Sequence, residues 1–294
     1  MTTDLPRKTR DYEGPVTNTD MWDSFAFRPG DIVLSTPPKS GTTWSQAILM
    51  MLIHGAAITD RAVWHDAIWL DCAFRDRDAA LAALAAQPHQ RCIKSHTPFD
   101  GIAYDPRAIY IAVYRHPIDT YFSLKRHVAN MKYDWLDHLF PDTPGAAFAR
   151  FLNGPLTDQG TDDLTLASLI NHYRSFKTWS HLPNVHLFHY ADLKSDIRAA
   201  IRRYAAVIGT PAPEALVEAI AEATGIDQMR DITRHHARPA ADSAFHDETS
   251  FFDSGSMNKW VGRLSQPEVD AYAARITASL PKGDRIWLES GTRP

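Results

Sequence analysis

The chain has 294 residues, of which 44% are hydrophobic and 22% charged, and its formal net charge is −4. These values are ordinary for a soluble globular protein, and a net negative charge argues against a broad nucleic-acid-binding surface. Two cysteines, Cys72 and Cys92, are too few for a disulfide framework or a cysteine-rich zinc site. Residues 1–11 have no signal-peptide core, and the most apolar run, 47–53, is far shorter than the ~20 residues of a membrane span. We therefore expect a cytoplasmic protein, with one domain over residues 1–294 and no membrane span.

Four short runs rich in Ile, Val, Leu and aromatic residues end in turn residues, a pattern typical of buried strands. They cover Asp31–Thr36, Arg91–Ser95, Ala108–Tyr114 and Val185–Tyr190. Helical patterns follow at Thr43–His54, Asp78–Ala86, Pro117–Met131, Leu166–Phe176, Leu193–Ile208, Glu214–Ala223 and Glu268–Leu280. This alternation predicts an α/β fold, a three-layer parallel sheet with helices on both faces. Thr233–Asn258 lacks periodicity and is predicted to be a long loop, of a length that is usually functional or mobile.

The strongest functional signal is Ser35–Trp44, which follows a predicted strand and opens a helix. Backbone N–H groups in such a loop, together with the helix N-terminus, form an anion cradle. Ser40, Thr42 and Thr43 would add hydroxyl donors and Lys39 a positive charge, while Gly41 lets the backbone come close to the anion. This is not a Walker A loop, because the lysine precedes the single glycine. The alternative is a plain strand–turn–helix corner.

A second anion anchor is predicted at the end of the third strand. Arg115 leaves that strand at the edge where ligands bind in parallel sheets, and Ser123 lies in the second turn of the next helix. A guanidinium and a hydroxyl near a helix N-terminus suit a phosphate monoester. The alternative is a structural ion pair between Arg115 and Asp119.

His96 is the candidate general base, because it follows a strand, precedes Thr97-Pro98 and titrates near neutral pH. Lys94 is placed to stabilise negative charge beside it. We assign catalysis to none of the other thirteen histidines. The pairs His186/His189 and His235/His236 lack a third ligand at convincing spacing, so no metal is predicted.

Pro38–Trp44 matches the signature with which cytosolic sulfotransferases bind the 5′-phosphosulfate of 3′-phosphoadenosine 5′-phosphosulfate (PAPS). Ile93–Pro98 resembles the Lys-Thr-His-Leu-Pro segment of that family, and Arg115 with Ser123 resembles its 3′-phosphate pair. The resemblance runs from about residue 22 to residue 260. It implies the P-loop NTPase-like sulfotransferase fold, with PAPS as the sulfuryl donor.

The resemblance also implies roles for other residues. Lys39 would contact the bridging and sulfuryl oxygens, and Trp44 would stack on the adenine, for which an indole offers a broad face. Further nucleotide contacts are expected at Tyr190, Thr224, Ile226, Met229 and Gly255. Tyr190 could equally be a packed strand-end residue, and Ile226 replaces the usual phenylalanine, which weakens the grip on adenine.

The largest departure from the family is the pair Asp253-Ser254, which replaces an Arg-Lys pair that helps to bind the 3′-phosphate. Cations that could compensate are Arg234, Arg238, Lys259 and Arg263. The family's C-terminal dimer motif is not seen after Trp260, so the oligomeric state is open.

These observations predict in-line transfer of a sulfuryl group from PAPS to a hydroxyl or amine, with His96 as the base. Aromatic residues outside the strands favour a small apolar acceptor such as a phenol, an alcohol or a lipid-linked hydroxyl. They are Trp22, Phe25, Phe74, Phe99, Tyr133, Trp135, Phe140, Phe148 and Phe245. Two alternatives stay open: a P-loop-type kinase or NTPase, and a non-catalytic nucleotide-binding protein on the same scaffold.

Overall fold

A computed structural model describes residues 5–143, 145–236, 243–252 and 254–292, without the side chains of residues 134 and 135. Its strands are β1 (Ile32–Ser35), β2 (Ile68–Trp69), β3 (Cys92–Ser95), β4 (Ile109–Tyr114) and β5 (Val185–His189). They form one sheet in the order β2-β3-β1-β4-β5, and every neighbouring pair is parallel. The four predicted strands are therefore confirmed, with ends within one residue of the prediction.

Helices connect the strands and follow the last one. They are α1 (Thr42–His54), α2 (Arg77–Ala86), α3 (Pro117–Ala129), α4 (Ala146–Asn153), α5 (Leu166–Thr178), α6 (Tyr190–Ser195), α7 (Ile197–Ile208), α8 (Glu214–Ala223), α9 (Ile226–His235), α10 (Gln266–Ser279) and α11 (Lys282–Ser290). Short 3-10 helices span Thr19–Ser24, Val63–Asp66, Phe99–Gly101, Asp134–Leu139, Gly160–Asp163 and Glu248–Phe251.

The two faces of the sheet bury separate apolar clusters, as the alternation of side chains along a strand requires. On β4, Tyr110 and Tyr114 face a cluster that includes residues of α3, α5 and α11. Ile111 and Val113 face the other way, into a cluster with residues of α1, α7 and α8. Helices therefore cover both faces, and the predicted three-layer α/β fold is confirmed.

The register of the strands brings their carboxyl ends to one edge. Ser35 pairs with Ser95 across β1 and β3, and Tyr114 pairs with His189 across β4 and β5. The residues that follow these strand ends, Thr36, His96, Arg115 and Tyr190, therefore start from the same edge of the sheet.

The single helix predicted over Leu193–Ile208 is wrong, because the chain breaks at Asp196. This residue has an extended backbone (φ −147°) and its carboxylate accepts a hydrogen bond from the Ala199 amide at 2.9 Å, which caps α7. Tyr190, predicted at a strand end, is instead the first residue of α6.

The predicted loop Thr233–Asn258 is also partly wrong. Its first residues belong to α9, which reaches His235 because Met229 and Ile232 bury one face of the helix. A 3-10 helix covers Glu248–Phe251 within the same stretch. Three further elements, β2, α4 and α11, have no counterpart in the predicted set.

Both cysteines are buried and free. Burial raises the pKa of the Cys72 thiol to about 11 and that of Cys92 to about 12, so both are protonated at neutral pH. Within the described ranges, no helix combines the length and the apolar character needed to cross a bilayer.

Candidate functional site

The loop between β1 and α1 has a backbone that only glycine adopts without strain at its last position. Gly41 has φ 112° and forms the N-cap of α1 without a side-chain cap, so the first N–H groups of the helix keep no capping partner. A β-carbon at residue 41 would lie 3.0 Å from the Tyr190 ring. Lys39 also has a positive φ, 65°. A helix start with uncapped amides is the kind of place where anions bind in proteins.

His96 is fixed to this loop by its own imidazole. The ring Nδ1 lies 2.7 Å from the carbonyl oxygen of Thr36, whose hydroxyl in turn bonds the Thr42 hydroxyl. Because a carbonyl can only accept, Nδ1 carries the proton and the neutral ring keeps its lone pair on Nε2. Burial, with the nearby positive charge of Lys94, holds the pKa of His96 well below its ordinary value. The ring is therefore neutral at pH 7 and able to accept a proton.

Lys94 and His96 share one aromatic neighbour. The ammonium of Lys94 lies 3.7 Å above the centroid of the Trp69 ring, and the imidazole meets that ring edge-on at 5.0 Å and 89°. Burial lowers the pKa of Lys94 to about 8, which leaves the side chain mostly charged at neutral pH. A positive charge and a basic nitrogen therefore flank a single indole.

Lys39 points toward a histidine that sequence reasoning did not select. Its ammonium is 3.4 Å from Nδ1 of His127, 3.5 Å from the carbonyl oxygen of Phe251 and 4.2 Å from the centroid of the Phe251 ring. Burial and the charge of Lys39 hold the pKa of His127 well below its ordinary value. The sequence offers one signal for this histidine: His127 lies one helical turn after Ser123 on α3 and therefore on the same face of the helix.

Arg115 is buried at the site, with 5% of its surface exposed. One guanidinium nitrogen donates to the carbonyl oxygen of Ser256 at 2.6 Å, and the group lies 4.4 Å from the centroid of the Tyr190 ring. The Nε atom is 4.0 Å from Asp119 and has no hydrogen-bond partner. Ser123, the predicted partner for the 3′-phosphate, is also buried.

Asp119 holds the loop after residue 253 rather than pairing closely with the arginine. Its carboxylate accepts the backbone N–H groups of Asn258 at 2.8 Å and Lys259 at 2.7 Å. The hydroxyl of Tyr190 donates to the carbonyl of Gly255 at 3.1 Å. The segment 254–259 is thereby fastened over the ends of β4 and β5.

The residues predicted to hold adenine also converge. Trp44 packs with Met229 in one small apolar cluster and meets the Tyr190 ring at 5.5 Å. A β-carbon at Gly255 would lie 2.8 Å from the Ile226 side chain, so these two residues are in contact range. Thr224 is buried nearby in the chain and bonds the Ile220 carbonyl at 2.8 Å.

Of the pair that departs from the family pattern, Asp253 lies outside the described residues and Ser254 bonds the Ser256 hydroxyl at 2.6 Å. Of the cations that could compensate, Arg238 also lies outside the described residues. Arg234 is exposed and paired with Asp231, and Arg263 lies over the Phe122 ring. Lys259 is buried beside Asp119. Arg230, which sequence reasoning missed, donates to the Phe252 carbonyl at 3.1 Å. Its helix, α9, begins at Ile226, where no helix is predicted from the sequence.

The buried polar atoms of this region that have no hydrogen-bond partner include three in the predicted site: the Ser40 hydroxyl, the Trp44 indole nitrogen and Nε of Arg115. An unsatisfied buried polar group costs about 1–3 kcal/mol, so such groups call for an explanation. All three belong to the predicted phosphate and adenine contacts. The site therefore fits a nucleotide that bears anionic groups at two places.

Most aromatic residues expected around an acceptor are core residues instead. Trp22, Phe25, Phe99, Phe140 and Phe148 are buried. Phe74 is 64% exposed and meets the Trp69 ring at 5.9 Å, while Phe245 packs against His127 at 5.2 Å. Tyr133 is exposed, and the Trp135 side chain lies outside the described part.

In the portion of the chain that the structure describes, one group of three acidic side chains could chelate a metal, Asp11, Asp20 and Asp23. All three are exposed, and two of them bond Lys8. None belongs to the predicted site.

The glycine turn before α1, the buried Arg115 and the apolar cluster of Trp44 and Met229 lie at one edge of a parallel sheet, an arrangement typical of nucleotide-phosphate-binding α/β proteins. The sulfotransferase domain family matches residues 29–279, and the chain belongs to this family. A glycolipid sulfotransferase of Mycobacterium bovis is 30% identical over an alignment 309 positions long, which covers 96% of this chain and 94% of that protein. Rat sulfotransferase 1A1 is 23% identical over 279 residues, covering 92% and 89%.

Solved structures show the same fold. A mouse sulfotransferase in complex with adenosine 3′,5′-bisphosphate (PAP) superimposes with a TM-score of 0.69 at 20% identity, covering 90% of each chain. A retinol dehydratase in complex with retinol and PAP gives 0.71 at 16% identity, covering 90% of this chain and 84% of the other. The predicted family and fold are thus confirmed, and the chain is a sulfotransferase enzyme rather than a kinase or a non-catalytic binding protein.

Proposed function

We propose that this sulfotransferase moves a sulfuryl group from PAPS to a hydroxyl or amine of a small, largely apolar acceptor, with His96 as general base. The observation that carries the proposal is the bond from His96 Nδ1 to the Thr36 carbonyl at 2.7 Å. It fixes the tautomer whose free Nε2 can take a proton, and it ties that nitrogen's ring to the phosphate loop itself.

We assign the binding of PAPS, the sulfuryl donor, to the part of the site that holds the buried polar atoms without partners. The amides at the start of α1 and the Ser40 hydroxyl would hold the 5′ anionic group. Arg115 and Ser123 would hold the 3′-phosphate, with Nε of Arg115 already lacking a partner. Trp44 supports the adenine. PAPS supplies the sulfuryl group, whose bond to the 5′-phosphate oxygen breaks as its bond to the acceptor forms.

In the proposed mechanism, Nε2 of His96 takes the proton from the acceptor hydroxyl or amine as the oxygen or nitrogen of that group attacks sulfur. Lys94 stays protonated below its pKa of about 8 and stabilises negative charge beside the imidazole. Lys39, now over the Phe251 ring, would turn toward the anion. A sulfuryl group carries less charge than a phosphoryl group, so lysines and amides suffice without a divalent metal.

The proposed acceptor class rests on what surrounds the three catalytic residues. Trp69 covers Lys94 and His96, and the exposed Phe74 extends that surface. Phe251 and Phe245 pack around His127 on the Lys39 side. An acceptor with an apolar or aromatic body would bury that body against these rings. Relatives include a glycolipid sulfotransferase, which supports an apolar-bodied acceptor here.

The test is transfer of radiolabelled sulfur from PAPS to a panel of acceptors in the presence of EDTA, with 2-naphthol as the first phenolic probe. His96→Ala is compared with His181→Ala, since His181 is an exposed histidine whose Nδ1 also lies near a backbone carbonyl. We expect the His96 variant to lose about 10²–10⁴-fold in turnover and the control to lose none. Full turnover in His96→Ala would exclude this base, and dependence on Mg²⁺ would contradict metal-free transfer.

A further inference from the structure

A fully buried carboxylate lies beneath the proposed catalytic pair. Asp71 follows β2 and has no exposed surface. One of its oxygens accepts the indole N–H of Trp69 at 2.9 Å. The other accepts the indole N–H of Trp22 at 2.9 Å, the Ser95 hydroxyl at 2.5 Å and the Thr97 hydroxyl at 2.7 Å.

The donor set requires a carboxylate at this position. An indole N–H can only donate, and the two indoles address opposite oxygens of Asp71. An asparagine offers a single acceptor oxygen and could satisfy one indole but not both. Burial raises the pKa of Asp71, whereas the four donated hydrogen bonds favour the ionised form. Within the described residues this carboxylate has no direct ion pair, and Lys94 acts on it only through its charge, so keeping it buried is costly and points to a role beyond packing.

The groups that Asp71 holds are those that fix Lys94 and His96. Ser95 and Thr97 flank His96 in the chain, so both backbone connections of the imidazole are anchored to one carboxylate. Trp69 is the ring that carries the Lys94 ammonium at 3.7 Å and meets His96 at 5.0 Å. The hydrogen bonds of Asp71 thus go to residues around Lys94 and His96 and not to these two side chains themselves.

We propose that Asp71 is a positioning residue for sulfuryl transfer, which orients Trp69 and the backbone around His96 so that Lys94 and His96 address one reaction centre. The inference rests on the proposed function, because it assumes that these two side chains act in transfer. Trp69 is the intermediary: it is held through its indole N–H and presents its ring to both residues.

A purely structural role predicts different behaviour. If Asp71 only stabilised the sheet edge, removing either indole N–H would lower stability alike and leave turnover alone. A positioning role makes the two indoles unequal, since Trp69 touches both Lys94 and His96, whereas Trp22 packs in the core against Phe25 and Phe27. Trp22→Phe is therefore a matched control for Trp69→Phe: each removes one N–H from the same carboxylate.

The experiment compares Asp71→Asn, Trp69→Phe and Trp22→Phe for transfer from PAPS to 2-naphthol, with melting temperature measured in parallel. We expect Asp71→Asn and Trp69→Phe to lower kcat at least about tenfold with smaller effects on the KM for PAPS, as expected for lost orientation. Trp22→Phe should lower the melting temperature and keep kcat within about twofold. Trp69→Phe decides the matter if Asp71→Asn does not fold.

A second readout needs no acceptor. Long-range ¹H–¹⁵N NMR spectra of the histidine rings report the tautomer and pKa of His96 directly. In the wild type and Trp22→Phe we expect a single Nδ1-protonated form. In Asp71→Asn and Trp69→Phe we expect mixed tautomers and a pKa closer to the ordinary ~6.5. Unchanged His96 spectra in both variants, or an equal loss of kcat in Trp22→Phe, would overturn the positioning role.

His96→Ala separates this inference from the proposed function. If His96→Ala loses turnover while Trp69→Phe and Asp71→Asn behave like Trp22→Phe, the positioning role alone is wrong. If His96→Ala keeps full turnover, the proposed base is wrong, and unperturbed His96 spectra in the other variants would then refute the positioning of this ring as well.

Discussion

Methionine in place of Arg115 removes a buried cation while keeping an unbranched stem. The guanidinium donates to the Ser256 carbonyl at 2.6 Å, and its Nε has no partner, so at least one charged donor awaits a ligand. A hydrogen bond to a charged group contributes about 1.5–3 kcal/mol. That free energy corresponds to about 10- to 150-fold in a dissociation constant. We therefore expect Arg115→Met to bind adenosine 3′,5′-bisphosphate (PAP) at least about tenfold more weakly than the wild type.

The assay is calorimetric titration with PAP and with AMP, which lacks the 3′-phosphate. If Arg115 holds that phosphate, its replacement weakens PAP while changing AMP affinity by less than about threefold. The control is Arg203→Met, because Arg203 also donates to a backbone carbonyl, that of Leu187 at 2.7 Å, and lies over the Phe188 ring. Equal losses for PAP and AMP in Arg115→Met, or no loss at all, would refute the assignment.

Gly41→Ala should cost about 1–3 kcal/mol of stability and weaken PAP binding, because φ is 112° and a β-carbon would meet a ring at 3.0 Å. In Gly209→Ala, where φ is 70° and no atom lies within 4 Å, thermal melting should show a stability loss and calorimetric titration with PAP no affinity loss. The pH profile of kcat/KM should show no inflection at the ordinary histidine pKa of ~6.5, because the pKa of His96 is held well below that value, and should fall as pH rises through about 8, where Lys94 loses its proton. Lys94→Arg should remove that fall; a fall that persists would assign it elsewhere. Burial raises the pKa of Asp162 to about 6, so the folded protein binds this proton more tightly than the unfolded chain, and the free energy of unfolding should fall as pH rises from about 4 to about 6. Denaturant titrations at several pH values should show that the free energy of unfolding changes less with pH in Asp162→Asn than in the wild type. An unchanged dependence on pH would contradict this assignment.

The parts of the site that sequence could predict are local. The loop before α1 is a continuous run in which strand, glycine turn and helix follow one another, so its anion cradle needs no tertiary information. The edge that gathers His96 and Arg115 follows from parallel strands alone, since their carboxyl ends must coincide. The alternation of strands and helices likewise predicts the three layers.

What sequence missed depends on contacts across the chain. The strand β2 has two residues, too few to show a period. Asp71 after it resembles a turn residue until the indole of Trp22, 49 residues away, is seen to donate to it together with that of nearby Trp69. The approach of Lys39 to His127 links a loop with the middle of α3. The bonds that fasten segment 254–259 use backbone groups, which no side-chain pattern records.

The most direct test of PAPS-dependent transfer is thermal stabilisation of the protein by PAP, compared with AMP, ADP and ATP, each with and without Mg²⁺. A ligand at about 100 times its dissociation constant adds about 2.7 kcal/mol of stability. We predict that PAP stabilises the protein most strongly, to the same extent with and without Mg²⁺. Stabilisation by ATP with Mg²⁺ and none by PAP would contradict the proposed donor.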